Sequence, residues 1–249
     1  ADARKTTDGL YVFSCGIAAK QMADKVNARI VSNGVKGEVH TYSVTDYAES
    51  VINAASGVYS DKAVNAVKAM LNYGTAAQQY FGYNTDNPAN SIMTDDDKNM
   101  DMVGFNTYTG KLVNADSVSG ISYYGSSLVL ESDTILRNYF ELSDGYSIDN
   151  YTFYVKDKDG NKNIIVPQKT DASLYYIDIS NVKAYELADN VNIYVQKNGD
   201  SEDKIMMLEY GAYVYARYVD KYLDNTALKN LMTAMYHYCN AATEYANIY

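Results

Sequence analysis

Hydrophobic and polar positions follow two regimes along this chain. Runs such as LYVFSC, VNARIV, EVHTY, GISYYGSSLVLES, ILRNYFEL, YTFYVKD, NIIVPQ, SLYYIDI and VNIYVQ are rich in β-branched and aromatic residues and are bounded by NG, KG and NGD turns. They read as strands, with DKDGNK as a hairpin turn after YTFYVKD. Two longer stretches switch to helical spacing. Ala63, Val67, Met70, Gly74, Ala77 and Phe81 form one apolar stripe, and Leu228, Leu231, Met232, Met235, Tyr238, Ala242 and Tyr245 form another. Each predicts an amphipathic helix of about five turns. A shorter helical stretch precedes each, Val44 to Ala54 with Ser43 or Thr45 as N-cap, and Met207 to Lys221. The small residues Gly74, Ala77, Cys239 and Ala242 on these stripes are expected to let paired helices approach closely.

The two helical stretches are also similar in sequence. At an offset of 165 residues, Ala69, Met70, Tyr73, Ala76, Ala77 and Tyr80 recur as Ala234, Met235, Tyr238, Ala241, Ala242 and Tyr245. The same offset aligns AKQMADKVNARIVSNG at 19 to 34 with AYELADNVNIYVQKNG at 184 to 199, identical at seven of sixteen positions where chance gives about one. Two distant blocks on one offset imply an internal duplication of a strand-plus-helical-hairpin unit. The expected organisation is a first repeat at 1–83, a polar linker at 84–119, and a second repeat with extra strands at 120–249. The fold class is α+β, with an antiparallel β-sandwich or sheet layer and two helical hairpins.

Composition narrows the function classes. The chain has 249 residues, 47% of them hydrophobic, enough for one sizeable core or two modest ones. A formal charge of −10 argues against nucleic acid and anionic membrane, since both demand clustered Lys and Arg. No apolar run approaches the length of a membrane span. Tyr occurs 27 times, against 5 Phe and no Trp. Cys15 lies in an apolar run and Cys239 in a helical one, so both read as small buried thiols before they read as a disulfide.

YVFSCGIAAKQMAD, TYSVTDYAESVI, VKAMLNYGTAAQQYFGYNTDN, GISYYGSSLVLES and LKNLMTAMYHYCNAATEYA resemble a module near the C-termini of large secreted or cell-surface proteins of Gram-positive gut and rumen anaerobes. There it sits beside leucine-rich repeats, bacterial Ig-like domains or carbohydrate-active modules. The resemblance implies an extracellular accessory or adhesion module within a larger multidomain protein, and carries over no catalytic residue.

Candidate chemistry is sparse. His40 and His237 lack an HExxH, a CxxC or a third ligand, so no metal site is assigned. No GxSxG, P-loop or GxGxxG motif occurs. Asp95, Asp96 and Asp97, with Asp86 and Asp101, match no calcium-loop spacing and read as a solvated acidic linker. No cofactor is expected. The remaining signal is tyrosine placement. Alternation sets Phe153, Val155, Tyr175, Ile177, Ile193 and Val195 on one side of their strands and Tyr154, Tyr176 and Tyr194 on the other, where neighbouring strands would give one face of three rings. Such rings stack on sugars or anchor a protein partner. Tyr123 and Tyr124 are further candidates. The expected function is a non-catalytic extracellular module recognising a glycan or a surface or host protein. The alternatives are a structural spacer without a ligand and a glycan-active enzyme with paired carboxylates.

Overall fold

The computed structural model describes residues 2–101, 116–130, 133–180, 182–187, 189, 191–207 and 225–247. The chain opens with two antiparallel pairs, β1 (Asp2–Lys5) with β2 (Tyr11–Ser14) and β3 (Val26–Ser32) with β4 (Val35–Tyr42). Three helices follow: α1 (Val44–Ile52), α2 (Asp61–Phe81) and the single turn α3 (Asp95–Lys98). Eight strands come next, β5 (Ile121–Leu130), β6 (Thr134–Leu142), β7 (Tyr151–Lys156), β8 (Lys162–Ile165), β9 (Gln168–Lys169), β10 (Tyr175–Ile179), β11 (Ile193–Lys197) and β12 (Lys204–Met207). The long α4 (Thr226–Ala246) ends the described chain. The eight strands form two antiparallel four-stranded sheets, in the orders β5-β6-β10-β9 and β12-β11-β7-β8. The architecture is mixed helix and strand.

Local chemistry explains where the elements begin and end. The Ser43 hydroxyl accepts from Asp46 N–H at 3.0 Å and opens α1, Ser60 does the same for α2 through Ala63 N–H at 3.2 Å, and Asn225 caps α4 through Leu228 N–H at 3.0 Å. Gly82, at φ 60°, stops α2 in the left-handed conformation that a side chain resists. Asn33 and Gly34 both take positive φ, 50° and 81°, so a two-residue turn joins β3 to β4. In DKDGNK the Asp157 carboxylate accepts from the N–H groups of Asp159 and Asn161, at 2.9 and 2.8 Å, and the segment is the expected turn between β7 and β8.

The core joins sheets and helices. Leu136, Phe140 and Ile177 from one four-stranded sheet share a buried cluster with Phe153, Ile193 and Val195 from the other, and the Phe140 ring meets Phe153 edge-on at 5.0 Å. Leu71, Ala77, Leu231 and Met235 extend the cluster into α2 and α4, which pack on each other. Tyr73 stacks on Tyr238 across that junction with centroids 5.8 Å apart.

One expectation lies outside the described residues and three others change. The helix expected at Met207 to Lys221 lies outside the described residues beyond Met207, so α1 with α2 is the one helical hairpin described. Of the linker expected at 84–119, residues 102–115 lie outside the described set, while 84–101 fold back onto α2. The Gln78 side chain accepts from Ala89 N–H at 2.8 Å and donates to the Asn84 and Asn87 carbonyls, at 3.3 and 3.0 Å. Asn90 donates to Asn72 Oδ1 at 2.8 Å, and Ala89 and Met93 are buried. Side-chain amides that satisfy loop backbone hold this segment despite its polar composition. Cys15 is exposed, against expectation, Cys239 is buried, and no disulfide links them. Gly74 serves a close approach, but not of a partner helix. A Cβ there would stand 2.7 Å from Met22 Sδ, 3.1 Å from Ala89 Cβ and 3.3 Å from the Ala19 carbonyl.

Gly74→Ala weighs two effects of opposite sign. Helix propensity favours alanine by about 1 kcal/mol, whereas overpacking a filled site costs roughly 1–3 kcal/mol. Because Ala89 Cβ and the Ala19 carbonyl cannot swing away as Met22 can, the expected outcome is net destabilisation, read as a lower midpoint in urea. A midpoint at or above that of the parent would show that this junction is loose.

Candidate functional site

Two separate surfaces divide the tyrosines expected to form one. β7 and β11 are neighbours, with Tyr154 opposite Tyr194 and Phe153 opposite Val195. Phe153 and Val195 point into the core, so Tyr154 and Tyr194 stack on the outer face, 5.1 Å apart and only 7° from parallel. Lys162 lies over the Tyr154 ring at 4.3 Å and Lys156 over the Tyr194 ring at 4.5 Å. Asp203 joins both lysines, at 2.8 Å from Lys162 and 2.9 Å from Lys156. Lys162 and Lys156, with the Tyr154 phenol close by, hold the Asp203 carboxyl well below the usual carboxylate range. Tyr154 is fully buried beneath this frame, and burial pushes its phenol up. Its hydroxyl has no partner of good hydrogen-bond geometry, although Asp203 and Lys162 flank it.

Tyr176 belongs to the other sheet. β10 pairs with β6, which sets Tyr176 beside Tyr139 with centroids 6.0 Å apart. Arg137 lies over the Tyr176 ring at 4.2 Å and makes a two-pronged ion pair with Asp178, both contacts at 2.7 Å. That carboxylate raises the guanidinium's pKa further. The Tyr176 hydroxyl donates to Gln168 at 2.5 Å. Alternation along a strand states which side a residue takes and not which sheet the strand joins, so the expected face of three rings does not form. Tyr123 turns inward against Phe140, edge-on at 6.0 Å, while Tyr124, beside it at a bulge in β5, is exposed. Tyr154, Tyr194 and Tyr176 each already carry a cation over the ring.

An open apolar surface lies elsewhere, and sequence reasoning missed it. β2 has exposed side chains throughout, as does β4, and β3 has them beyond Val26. Phe13 is 59% exposed, Ile30 70% and Tyr42 60%. Between these strands and the helices lies a cavity of about 740 Å³, whose walls include Phe13, Val26, Tyr42, Tyr47, Tyr59 and Met70. Among the described residues β2 pairs only with β1, and β3 only with β4, so each presents an unpaired edge beside this cavity. Alternating apolar residues in these strands look like ordinary core positions, which is why periodicity alone assigns them to the interior. No local sequence signal separates them from core strands, since their exposure depends on which neighbours pair with them.

The remaining candidates are scattered. His40 lies on β4 with its ring near Tyr42, 6.4 Å between centroids, and His237 in α4 contacts the Asp101 carbonyl at 2.8 Å. Asp97 pairs with Lys68 at 2.8 Å, which lowers its pKa, and Asp95 and Asp96 sit in the first turn of α3. No group of three or more His, Cys, Asp or Glu able to hold a metal ion occurs among the described residues, and no described helix is long and apolar enough to cross a membrane. No family model, curated protein or solved structure matches the chain.

The pKa of Asp203 fixes the sign of an acid effect. A depressed carboxylate contributes stability that is fully present above its unfolded value of about 4 and is lost as pH falls through that value toward the folded one. Asp203→Asn is therefore expected to be less stable than the parent at pH 7 and to lose less on going from pH 5 to pH 2. Melting temperatures of both proteins across that range check it, and parallel curves would remove Asp203 as the source.

Proposed function

We propose that this chain is a non-catalytic extracellular module of a bacterial surface protein, built from two copies of one unit, and that it binds polypeptide through the open apolar face of its first copy. The extracellular bacterial setting rests on the family resemblance of the sequence. The duplication draws support from elements recurring at the offset of 165. A 3-10 turn at Ala19–Gln21 is followed at that distance by one at Ala184–Glu186, and α2 by α4. Ala18 N–H donates to Gln21 Oε1 at 3.0 Å, and Lys183 N–H to Glu186 Oε2 at 3.1 Å. Each long helix packs on its own unit's 3-10 turn. On this reading the hairpin β3–β4 corresponds to β11–β12, and the two four-stranded sheets make a β-sandwich in the second copy.

The observation that carries the polypeptide reading is the apolar cavity flanked by the unpaired edges of β2 and β3. An apolar surface of this size on a folded protein marks an interaction site. Unpaired strand edges add backbone N–H and C=O groups in a row, which another peptide backbone complements and a sugar does not. Sugar stacking draws less support, because Tyr154, Tyr176 and Tyr194 are each engaged by a Lys or Arg of their own sheet. The same engagement favours a second reading, a spacer in which the outer sheet faces of the second copy are purely structural.

The test is binding of the purified chain to an array of plant polysaccharides, mucin glycans and secreted proteins. Alongside go a Phe13→Ser/Tyr42→Ser variant and a Tyr154→Ala/Tyr176→Ala/Tyr194→Ala variant. A protein hit weakened about tenfold or more by the first variant and kept by the second is expected. A glycan hit lost only by the second would overturn the assignment, and a blank array would leave the spacer.

A further inference from the structure

The two open strand edges have counterparts in the second unit whose neighbours are known. β1 and β2 correspond to β9 and β10 at an offset of 164, one residue short of the offset further along. Lys5, Thr6, Leu10 and Tyr11 become Lys169, Thr170, Leu174 and Tyr175. The two hairpins share the bonds that close them. Thr6 N–H donates to the Leu10 carbonyl at 2.8 Å and Thr170 N–H to the Leu174 carbonyl at 2.8 Å. The two threonine hydroxyls accept from Leu10 N–H and Leu174 N–H, both at 3.1 Å. Lys5 lies 5.9 Å over Tyr11, and Lys169 5.8 Å over Tyr175. Gly9 and Ser173, at matching positions in the turns, both take positive φ, 86° and 68°. Strand register agrees too, since Lys5 faces Tyr11 and Lys169 faces Tyr175.

What differs is the far edge. β10 passes its second edge to β6, with Tyr176 opposite Tyr139 and Ile177 opposite Asn138. β11 passes its second edge to β7, with Tyr194 opposite Tyr154 and Val195 opposite Phe153. The matching edges of β2 and β3 have no such neighbour among the described residues. Burial follows. Ile177 is 1% exposed and Val195 is fully buried, while their counterparts Phe13 and Ile30 are 59% and 70% exposed. The helix side repeats the contrast. Leu128 of β5 packs on Leu228 and Met232 of α4, whose counterparts at the offset of 165, Ala63 and Val67, line the open cavity.

Resting on the duplication and open-face reading above, we propose that the polypeptide this face takes is a segment of two β-hairpins patterned like β5–β8, which completes the first unit. Its inner strands pair with β2 and β3, and its apolar residues fill the cavity. The segment is carried on the same polypeptide directly ahead of β1. In the second unit only Val166 and Pro167 separate β8 from β9, so the covering strands and the hairpin they cover are joined without slack. The occupant's residue in the place of Asn138 lies opposite Phe13, and its residue in the place of Phe153 lies opposite Ile30. Units joined this way form a linear array in which each β-sandwich is closed by its own four leading strands.

The test is a fusion in which a second copy of residues 116–164 is placed directly ahead of Ala1 of the full chain, restoring the 164-residue spacing. Backbone hydrogen exchange in β2 and β3 is expected to slow by about 100-fold relative to the parent as their edge amides become paired and buried. A register check accompanies it, with Val12→Cys in the chain, Tyr139→Cys in the added copy and Cys15→Ser to remove competition. The disulfide is expected to form under mild oxidation in the folded fusion, and to fail when Val12→Cys is replaced by Leu10→Cys. Exchange in β2 and β3 unchanged from the parent would overturn the proposal, as would a parent that is dimeric with those amides already protected, since the occupant would then be a second copy. Array binding that depends on Phe13 and Tyr42 while the added hairpins stay unseated would spare the polypeptide-binding reading and sink only this occupant. Loss of both would remove the open-face reading as well.

Discussion

Tyr73 and Tyr238 face each other across the junction of α2 and α4, and that contact ties the helices to the sheets. Tyr73 is buried and Tyr238 partly so, and burial pushes both phenols' pKa values up and keeps them neutral. The Tyr73 hydroxyl also meets the side chain of Thr134, the first residue of β6. One residue of α2 therefore touches α4 and the sheet system together. The other sides of these helices carry the smaller elements. Residues 84–101 are tied to α2 through Gln78, Thr75 and Asn72, and the 3-10 turn at Ala184–Glu186 rests on α4.

Around this centre the two halves differ in how completely they are covered. Among the eight strands from β5 to β12, Phe140, Phe153, Ile177 and Val195 are buried in one cluster to which both four-stranded sheets contribute. The four strands from β1 to β4 have no second layer of that kind among the described residues. Apolar burial contributes roughly 25 cal/mol per Å², so side chains as large as Phe13, Ile30 and Tyr42 left in water forgo several kcal/mol together. A functional reading of the chain has to give that surface an occupant. The outer sheet faces pose no such demand, because their rings are already matched by Lys156, Lys162 and Arg137.

Legibility in the sequence tracked how local each interaction is. The stripes of α2 and α4 and the N-cap Ser43 were legible because helical periodicity and capping act within a few residues. Nine of the strands were legible for the same reason, while the short β1, β9 and β12 offered too few alternations. The anchoring of 84–101 was not legible, since it depends on side-chain amides meeting loop carbonyls, and neither has a period. Pairing across sheets is less local still. Tyr154 and Tyr194 came together as alternation suggested, Tyr176 did not, and the open face stayed hidden because its exposure is a matter of which neighbours are present. The apolar run around Cys15 reads as core for the same reason, although Cys15 is exposed.

The hairpin that presents Ile30, Val31, Val35 and Val39 to water also bears on behaviour in bulk solution. At neutral pH a net charge of −10 keeps molecules apart, so unsatisfied strand edges on neighbouring molecules meet rarely. Near the sequence pI of about 4.6 that repulsion vanishes. Apolar strand edges left open then become templates for each other. Handling this protein is thus a colloidal problem set by its least covered hairpin: dilute, neutral and low-salt conditions preserve single molecules, and acidification invites fibrous precipitate.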